Sequence, residues 1–356
     1  MPKPSANRVL LVDEGWNPTI YVAAGLAAAG WHVTVLTANG TRARCRSRDG
    51  VDWQSAPRIG EPGFAARVAR TGGDVVVPLT EAAMAALWDA GEPRVFPRTE
   101  PWQRALVRDK HALVEHLASR GVPVPRHVRI DEAIELPVVV KGATGSAGQR
   151  VRIAETAEQL AATLARARAI GGDWIAQEHL AGPTYLVAGI FDAGRPIRLF
   201  AAEKCEQAPA RTGTAARLRT TRDPALLDVA TRAIAELAWT GFASVDLMRR
   251  DGAPVVLEVN PRPWGCIAAA AAAGVELFAP FAQLLAGAHP MPALSFDEHL
   301  DATIFPNCLR TRSGRSLERI LAHLAGPQGR HWREPRLAIH VLRRLAALAR
   351  DPAPRL

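Results

Sequence analysis

Asp246 and Glu258 stand twelve residues apart (258 − 246 = 12), on either side of an Asp251-Gly252 pair. Asp-Gly between two apolar runs marks a hairpin turn. A three-residue loop, Asp251–Ala253, would pair Arg250 with Pro254, Met248 with Val256 and Asp246 with Glu258. Side chains alternate along a strand. Ser244, Asp246, Val256, Glu258 and Asn260 then share one face, and Ala243, Val245, Leu247, Val255, Leu257 and Val259 form an apolar face for burial. Two carboxylates directly opposite, with Cβ atoms roughly 5 Å apart, repel each other. Relief of that repulsion in Glu258→Gln is expected to leave the metal-free chain at least as stable. A divalent cation between the two acids would make sense of the pair, and Asn260 offers a third oxygen suited to Mg²⁺. A solvated polar face, offset by one residue from this count, would give the same letters. Spacing alone does not choose between them.

Of the 44 basic residues only four are lysine: Lys3, Lys110, Lys141 and Lys204. Lysine is a compact point charge and arginine a planar fork, so a lysine in an arginine-rich chain is a chemical choice. Lys141 ends PVVVK and precedes GATGSAG. Glycines let backbone N–H groups approach phosphate oxygens, which a nearby lysine neutralises. The lysine precedes the loop, so the pattern is not a Walker A motif. An ordinary small-residue hairpin would look the same. Lys110 opens a helix and by itself reads as a surface residue. Lys204 ends a strand before QAPARTGT, and Arg262 lies two residues past Asn260.

The elements that must position these groups follow from periodicity. Arg8–Asp13, His32–Thr37 and Asp74–Pro78 read as strands. They alternate with helices over Pro18–Gly30 and Thr80–Ala90, the second capped by Thr80. Such alternation predicts a doubly wound parallel sheet. Its first strand-to-helix loop, DEGWNP, is not a dinucleotide fingerprint. An amphipathic helix over Asp109–Arg120 leads into a small α+β unit. That unit has strands Pro137–Lys141 and Arg150–Ile153, a helix Thr156–Ala169 and a strand Trp174–Leu180. Strands Tyr185–Phe191 and Pro196–Glu203, a mobile loop Gln207–Thr214 and a helix Pro224–Ala238 precede the hairpin. Basic helices Ser316–Leu324 and Pro335–Arg350 end the chain without a legible motif.

The 356 residues, 48% hydrophobic and 22% charged, suit two or three globular domains and exclude a disordered, collagenous or coiled-coil chain. No uninterrupted run reaches the about 20 apolar residues of a membrane span; the nearest, the Ala-rich run Ile267–Leu285, is broken by Glu276 and Pro280. The N-terminus lacks the apolar core of a signal peptide, so a cytoplasmic location is expected. Cys45, Cys205, Cys266 and Cys308 form no CxxC pair, which argues against a zinc ribbon or a disulfide framework. The net charge of +9 invites a nucleic-acid reading, but the arginines are spread over the whole length. The densest basic stretch, Arg42–Arg48, has no aromatic residue for base stacking.

Taken in order, these residues resemble the ATP-grasp ligases. The resemblance rests on Lys110 in DKHALVEHLASRGVPVP, Lys141 in PVVVKGATGSAG, and Gln177-Glu178-His179-Leu180 before Gly182. It continues through Lys204 in EKCEQAPARTG and Asp246 in GFASVDL to Glu258, Asn260 and Arg262 in LEVNPRPWG. It covers roughly residues 1 to 290 and is similar above all to carboxylate–amine ligases of that superfamily. It implies an N-terminal Rossmann-like domain (1–105), an ATP-grasp domain (106–290, with a lid at 130–182) and a mostly helical C-terminal extension (291–356). The fold class is thus α/β with α+β subdomains, nucleotide lying between the latter.

The resemblance also implies roles. Lys110 and Lys141 would contact ATP phosphates, beneath a loop containing Gly142, Gly145, Ser146 and Gly148. Gln177, Glu178, His179 and Leu180 would hold adenine and ribose. Asp246, Glu258 and Asn260 would hold one or two Mg²⁺, for which Mn²⁺ could substitute. Lys204 and Arg262 would face the transferred phosphate. Three departures stand out: Asp246 where Glu is commoner, Ala147 where a third glycine is frequent, and Cys266 where many relatives have Ser. The implied chemistry is phosphorylation of a carboxylate, then displacement by an amine, with ADP and phosphate released. The expected partners are a small carboxylate and an amine, not a nucleic acid or a membrane; a homodimer is compatible. A bicarbonate-dependent carboxylase and a non-catalytic nucleotide-binding or nucleic-acid-binding protein of the same fold are the alternatives.

Overall fold

The structure, a computed structural model, describes residues 7–15, 18–39, 50–130, 135–142, 151–305 and 307–311. Gly145, Ser146, Gly148, the basic stretch 42–48 and the two expected C-terminal helices lie outside them.

The first unit runs β1 (Arg8–Asp13), α1 (Pro18–Ala28), β2 (His32–Thr37), β3 (Val51–Ser55), α2 (Phe64–Arg70), β4 (Val75–Pro78) and α3 (Glu81–Asp89). Its strands lie in the order β3-β2-β1-β4, all parallel, as the alternation predicts. The apolar runs of β1, β2 and β4 are buried, and Thr80 caps α3 by accepting from the Ala83 amide at 3.2 Å. β3 and α2 were not foreseen, for physical reasons. In VDWQS only Val51 is buried, and α2 buries only Phe64 and Val68, too few residues to set a period.

Two short helices, α4 (Pro101–Arg108) and α5 (Lys110–Ser119), lead into a four-stranded antiparallel sheet. Its elements are β5 (His127–Arg129), β6 (Val138–Gly142), β7 (Val151–Ala154), α6 (Ala157–Ile170) and β8 (Trp174–Glu178), with strand order β5-β8-β6-β7. It has a small core of its own: Val138, Val140, Ala154, Ala167, Trp174 and Ala176.

The larger sheet is six-stranded and antiparallel. It comprises β9 (Tyr185–Asp192), β10 (Arg195–Ala208), β11 (Thr214–Thr220), β12 (Gly241–Arg250), β13 (Ala253–Asn260) and β14 (Asp301–Thr303). Their order is β13-β12-β9-β10-β11-β14. Helix α7 (Pro224–Ala235) packs on it, followed in sequence by α8 (Ile267–Ala272) and α9 (Phe278–Leu285). The expected loop Gln207–Thr214 is instead the tip of a hairpin. β10 runs on through Lys204 to Ala208, which pairs with Thr214, and the Gln207 side chain donates to the Gly213 carbonyl at 2.9 Å. The edge strand β14 comes from the segment assigned to the C-terminal extension. The first unit docks on this half through α1 and α9. A Cβ at Gly25 would lie 2.1 Å from the Phe278 ring, so only glycine permits that approach.

Candidate active site

Asp246 pairs directly with Glu258, Val245 with Val259 and Ser244 with Asn260. The loop, however, is the two residues Asp251-Gly252, since Arg250 pairs with Ala253. A bulge between Asp246 and Leu247 then absorbs Leu257 and restores the carboxylate pair. The expected faces change accordingly. Val256 belongs to the core, and Leu257 lines the cleft beside Glu258.

Lysines offset the two acids. Lys110, at the first position of α5, donates to Glu258 Oε1 at 2.9 Å. Lys204, in the middle of β10, donates to Asp246 Oδ2 at 2.7 Å. Lys141 is buried on β6 and donates to the Leu257 carbonyl at 3.0 Å, that of the bulged residue. Burial pushes the Lys141 ammonium down to about 8, against the opposing pull of Glu258. For Glu258 burial acts to raise the carboxyl, but Lys110, Lys141 and Arg262 outweigh it and hold it at about 2. Lysine pairing thus offsets the repulsion expected between the acids, which turns the expectation for Glu258→Gln towards a loss of stability. Three lysines against two carboxylates leave a local excess of positive charge.

Arg262 and Asn260 are both buried beyond the end of β13 and at it. Arg262 donates to Asn260 Oδ1 at 3.1 Å and to Glu81 Oε2 at 2.8 Å, joining the site to the N-terminal end of α3. Two carboxylates and an amide oxygen make an all-oxygen donor set that fits a hard dication such as Mg²⁺. The Asn260 oxygen retains a second lone pair beside the one Arg262 engages.

A cleft of about 1070 Å³ opens between the two antiparallel sheets. Lys141, Gln177, Glu178, His179, Leu180, Lys204, Asp246 and Glu258 all line it. Val139, Ile153, Met248 and Leu257 add apolar side chains to its lining. Gly142 ends β6. Burial acts to raise the Glu178 carboxyl, but the Arg126 amide at 3.0 Å and the Arg250 guanidinium at 2.6 Å hold it below its usual range. His179 meets Arg211 at 2.9 Å, and burial, then Arg211, lowers its pKa. Sequence reasoning missed Arg126, Arg211 and Arg250. Each stands in a loop or beside a turn, and in an arginine-rich chain residue type carried no signal. Cys266 is inert, its thiol pushed up to about 12 by burial.

Residues 107–266 match the model of an ATP-grasp domain. A D-alanine–D-alanine ligase of Desulforudis audaxviator is 30% identical over 183 residues, covering 45% of this chain and 60% of that protein. The chain thus spans less than two thirds of the length of the curated relatives it matches. An L-amino acid ligase from Bacillus licheniformis superposes over 80% of this chain and 75% of its own, at TM-score 0.64 and 17% identity. A carboxyaminoimidazole ribonucleotide synthase from Aspergillus clavatus, solved with ATP, covers 83% of this chain and 80% of its own, at TM-score 0.65 and 16% identity. At such identities the likeness establishes the fold. The matched segment holds the small sheet, five of the six strands of the larger one, the three cleft lysines and the carboxylate pair, and over these residues the chain is similar to ATP-grasp domains.

Proposed function

We propose that the chain is an ATP-dependent carboxylate–amine ligase. The observation that carries the reading is the cleft between two antiparallel sheets, lined by Lys141, Lys204, the facing Asp246 and Glu258 and several apolar side chains, with Lys110 bonded to Glu258. Similarity to ligases that join amino acids supports it.

In this reading residues 1–105 and the region around Arg262 present the carboxylate substrate. Residues 106–290 hold the nucleotide, and residues 130–182 form its lid. Gln177, Glu178, His179 and Leu180 border the adenine and ribose. Lys110 and Lys141 bind phosphate oxygens, and the loop from Gly142 through Gly145, Ser146 and Gly148 covers them. Asp246, Glu258 and Asn260 would hold Mg²⁺, which would neutralise phosphate charge. Lys110 and Lys204, now paired with these acids, are then free to turn towards phosphate. Lys204 and Arg262 stabilise charge on the transferred group.

The reaction needs no protein nucleophile. A carboxylate oxygen attacks the γ-phosphorus, the bond to ADP breaks, and an acyl phosphate forms. The amine attacks its carbonyl carbon, the bond to phosphate breaks, and the amine loses a proton. Acyl phosphates hydrolyse readily, so a lid that excludes water suits the chemistry.

A screen of carboxylate–amine pairs with Mg-ATP tests the reading. ADP and phosphate should appear in equal amounts, only when both substrates are present. AMP as the nucleotide product, or turnover that needs only bicarbonate, would overturn it.

A further inference from the structure

Away from the acids and lysines of the cleft, His111, Glu115 and His127 bring ligand atoms within 4.8 Å of one another. His111 and Glu115 are four residues apart on α5, so they share one helix face. His127 opens β5 and pairs with Gln177 of β8. The two imidazole rings meet edge to face, with centroids 5.1 Å apart.

His127 is the informative member. Its side chain is 8% exposed. Its Nδ1 lies 3.2 Å from the Pro125 carbonyl, which can only accept, so Nδ1 carries the proton. In the neutral ring Nε2 is then a bare lone pair. It is buried, makes no hydrogen bond, and lies 3.7 Å from Glu115 Oε1. His111 Nδ1 is likewise buried without a partner. An unpartnered buried acceptor facing a carboxylate oxygen is costly on both sides. A proton on Nε2, donated to Glu115, would relieve it for that pair alone and leave His111 Nδ1 without a partner. A cation shared by the three groups relieves it fully.

We propose that His111, Glu115 and His127 form a second metal site, for a borderline-soft dication such as Zn²⁺. Two imidazoles and one carboxylate leave a fourth position open to water. Tetrahedral Zn–N bonds of about 2.0–2.1 Å put neighbouring ligand atoms about 3.3 Å apart. The 3.7 Å between His127 Nε2 and Glu115 Oε1 is already near that value, all three ligand atoms lie within 4.8 Å, and the 63% exposed Glu115 side chain has room to turn towards the two rings. The bond from His127 Nδ1 to a backbone carbonyl is the arrangement that orients a ligating imidazole. Such an ion would clamp α5, which carries Lys110, to β5, which pairs with the cleft strand β8. Its role is to hold the lid sheet against the helix before it, and it takes no part in phosphoryl transfer.

The test uses the full chain stripped with chelator, then dialysed against ZnCl₂ in excess MgCl₂, with metal content and melting temperature as readouts. About one zinc per chain should bind and raise the melting temperature. Glu115→Gln, at an exposed position that spares the fold, and His111→Gln should each weaken binding at least about tenfold. Asp246→Asn should leave zinc binding unchanged. Failure of the wild type to bind zinc, undiminished binding in either ligand variant, or loss of binding in Asp246→Asn would overturn the proposal. The ligase reading does not depend on the outcome, since its own test is nucleotide turnover in MgCl₂.

Discussion

At the scale of single residues, the site stores charge in opposed pairs. Lys141 carries the sharpest consequence. Its ammonium is buried, and its pKa near 8 means that the folded chain binds this proton less tightly than the unfolded chain does. Charged Lys141 therefore costs stability below about pH 8, and the cost fades between about 8 and 10.5. Phosphate binding needs the charge, so nucleotide affinity should fall as pH rises through about 8, well below the range of an exposed lysine. Isothermal titration with Mg-ATP from pH 7 to 9 checks this, with Lys141→Met expected to bind weakly and lose the dependence. Glu258 has the opposite sign. Its carboxyl, held at about 2, stabilises the fold above about pH 4.5, and that contribution disappears as pH falls through 2. A shift of this size corresponds to a few kcal/mol at most. Glu258→Gln should therefore lower the melting temperature at neutral pH, leaving Lys110 without its acceptor. The gap from wild type should narrow as pH drops below about 4.5, and a variant that melts higher at pH 7 would contradict the lysine pairing.

At the scale of elements, the hairpin β12–β13 shows what could be read from letters. The pairing of Asp246 with Glu258 was foreseen, although the loop was counted one residue too long. The bulge at Leu257 supplies the compensating residue. Bulges have no strong sequence signature, because an extra apolar residue next to an apolar strand looks like more strand. Thus Val256 and Leu257 were placed on the wrong faces while the acids were placed correctly. The helix α3 and strands β1, β2 and β4 were legible because each buries a regular apolar run. Strand β11, TAARLRT, was hidden by alternating arginines. Arg217 and Arg219 point to Asp301 of β14, so charge pairing across an edge replaces the apolar pattern. The lysine–carboxylate pairs were not legible at all. Lys110 and Glu258 are 148 residues apart, and only the tertiary fold brings them together. The same holds for His127, which only the fold brings beside His111 and Glu115.

At the scale of the whole molecule, a large and a small hydrophobic core are found among the described residues. The larger one joins residues of the parallel sheet with residues of the six-stranded sheet. The small sheet buries only Val138, Val140, Ala154, Ala167, Trp174 and Ala176 in a separate cluster. Buried apolar area is the main favourable term in folding, so the small sheet should open at lower free energy than the rest. Ligands that span the cleft change this balance. Mg-ATP would bridge Lys141 on β6 and Gln177 to Leu180 at the end of β8 to Lys204, Asp246 and Glu258 on the larger sheet. At about one hundred times its dissociation constant it adds about 2.7 kcal/mol to the bound state. That gain should fall mainly on the small sheet, which moves from independent opening to opening coupled with ligand release. Hydrogen exchange should therefore slow roughly a hundredfold at amides of β6 and β8 on adding Mg-ATP, with little change in β1, β2 and β4. The tip of the β10–β11 hairpin, whose residues 207–213 line the same cleft, should slow as well. Equal protection across all three sheets would mean that the small sheet already opens only with global unfolding. Protection confined to the parallel sheet would place the nucleotide elsewhere than the cleft.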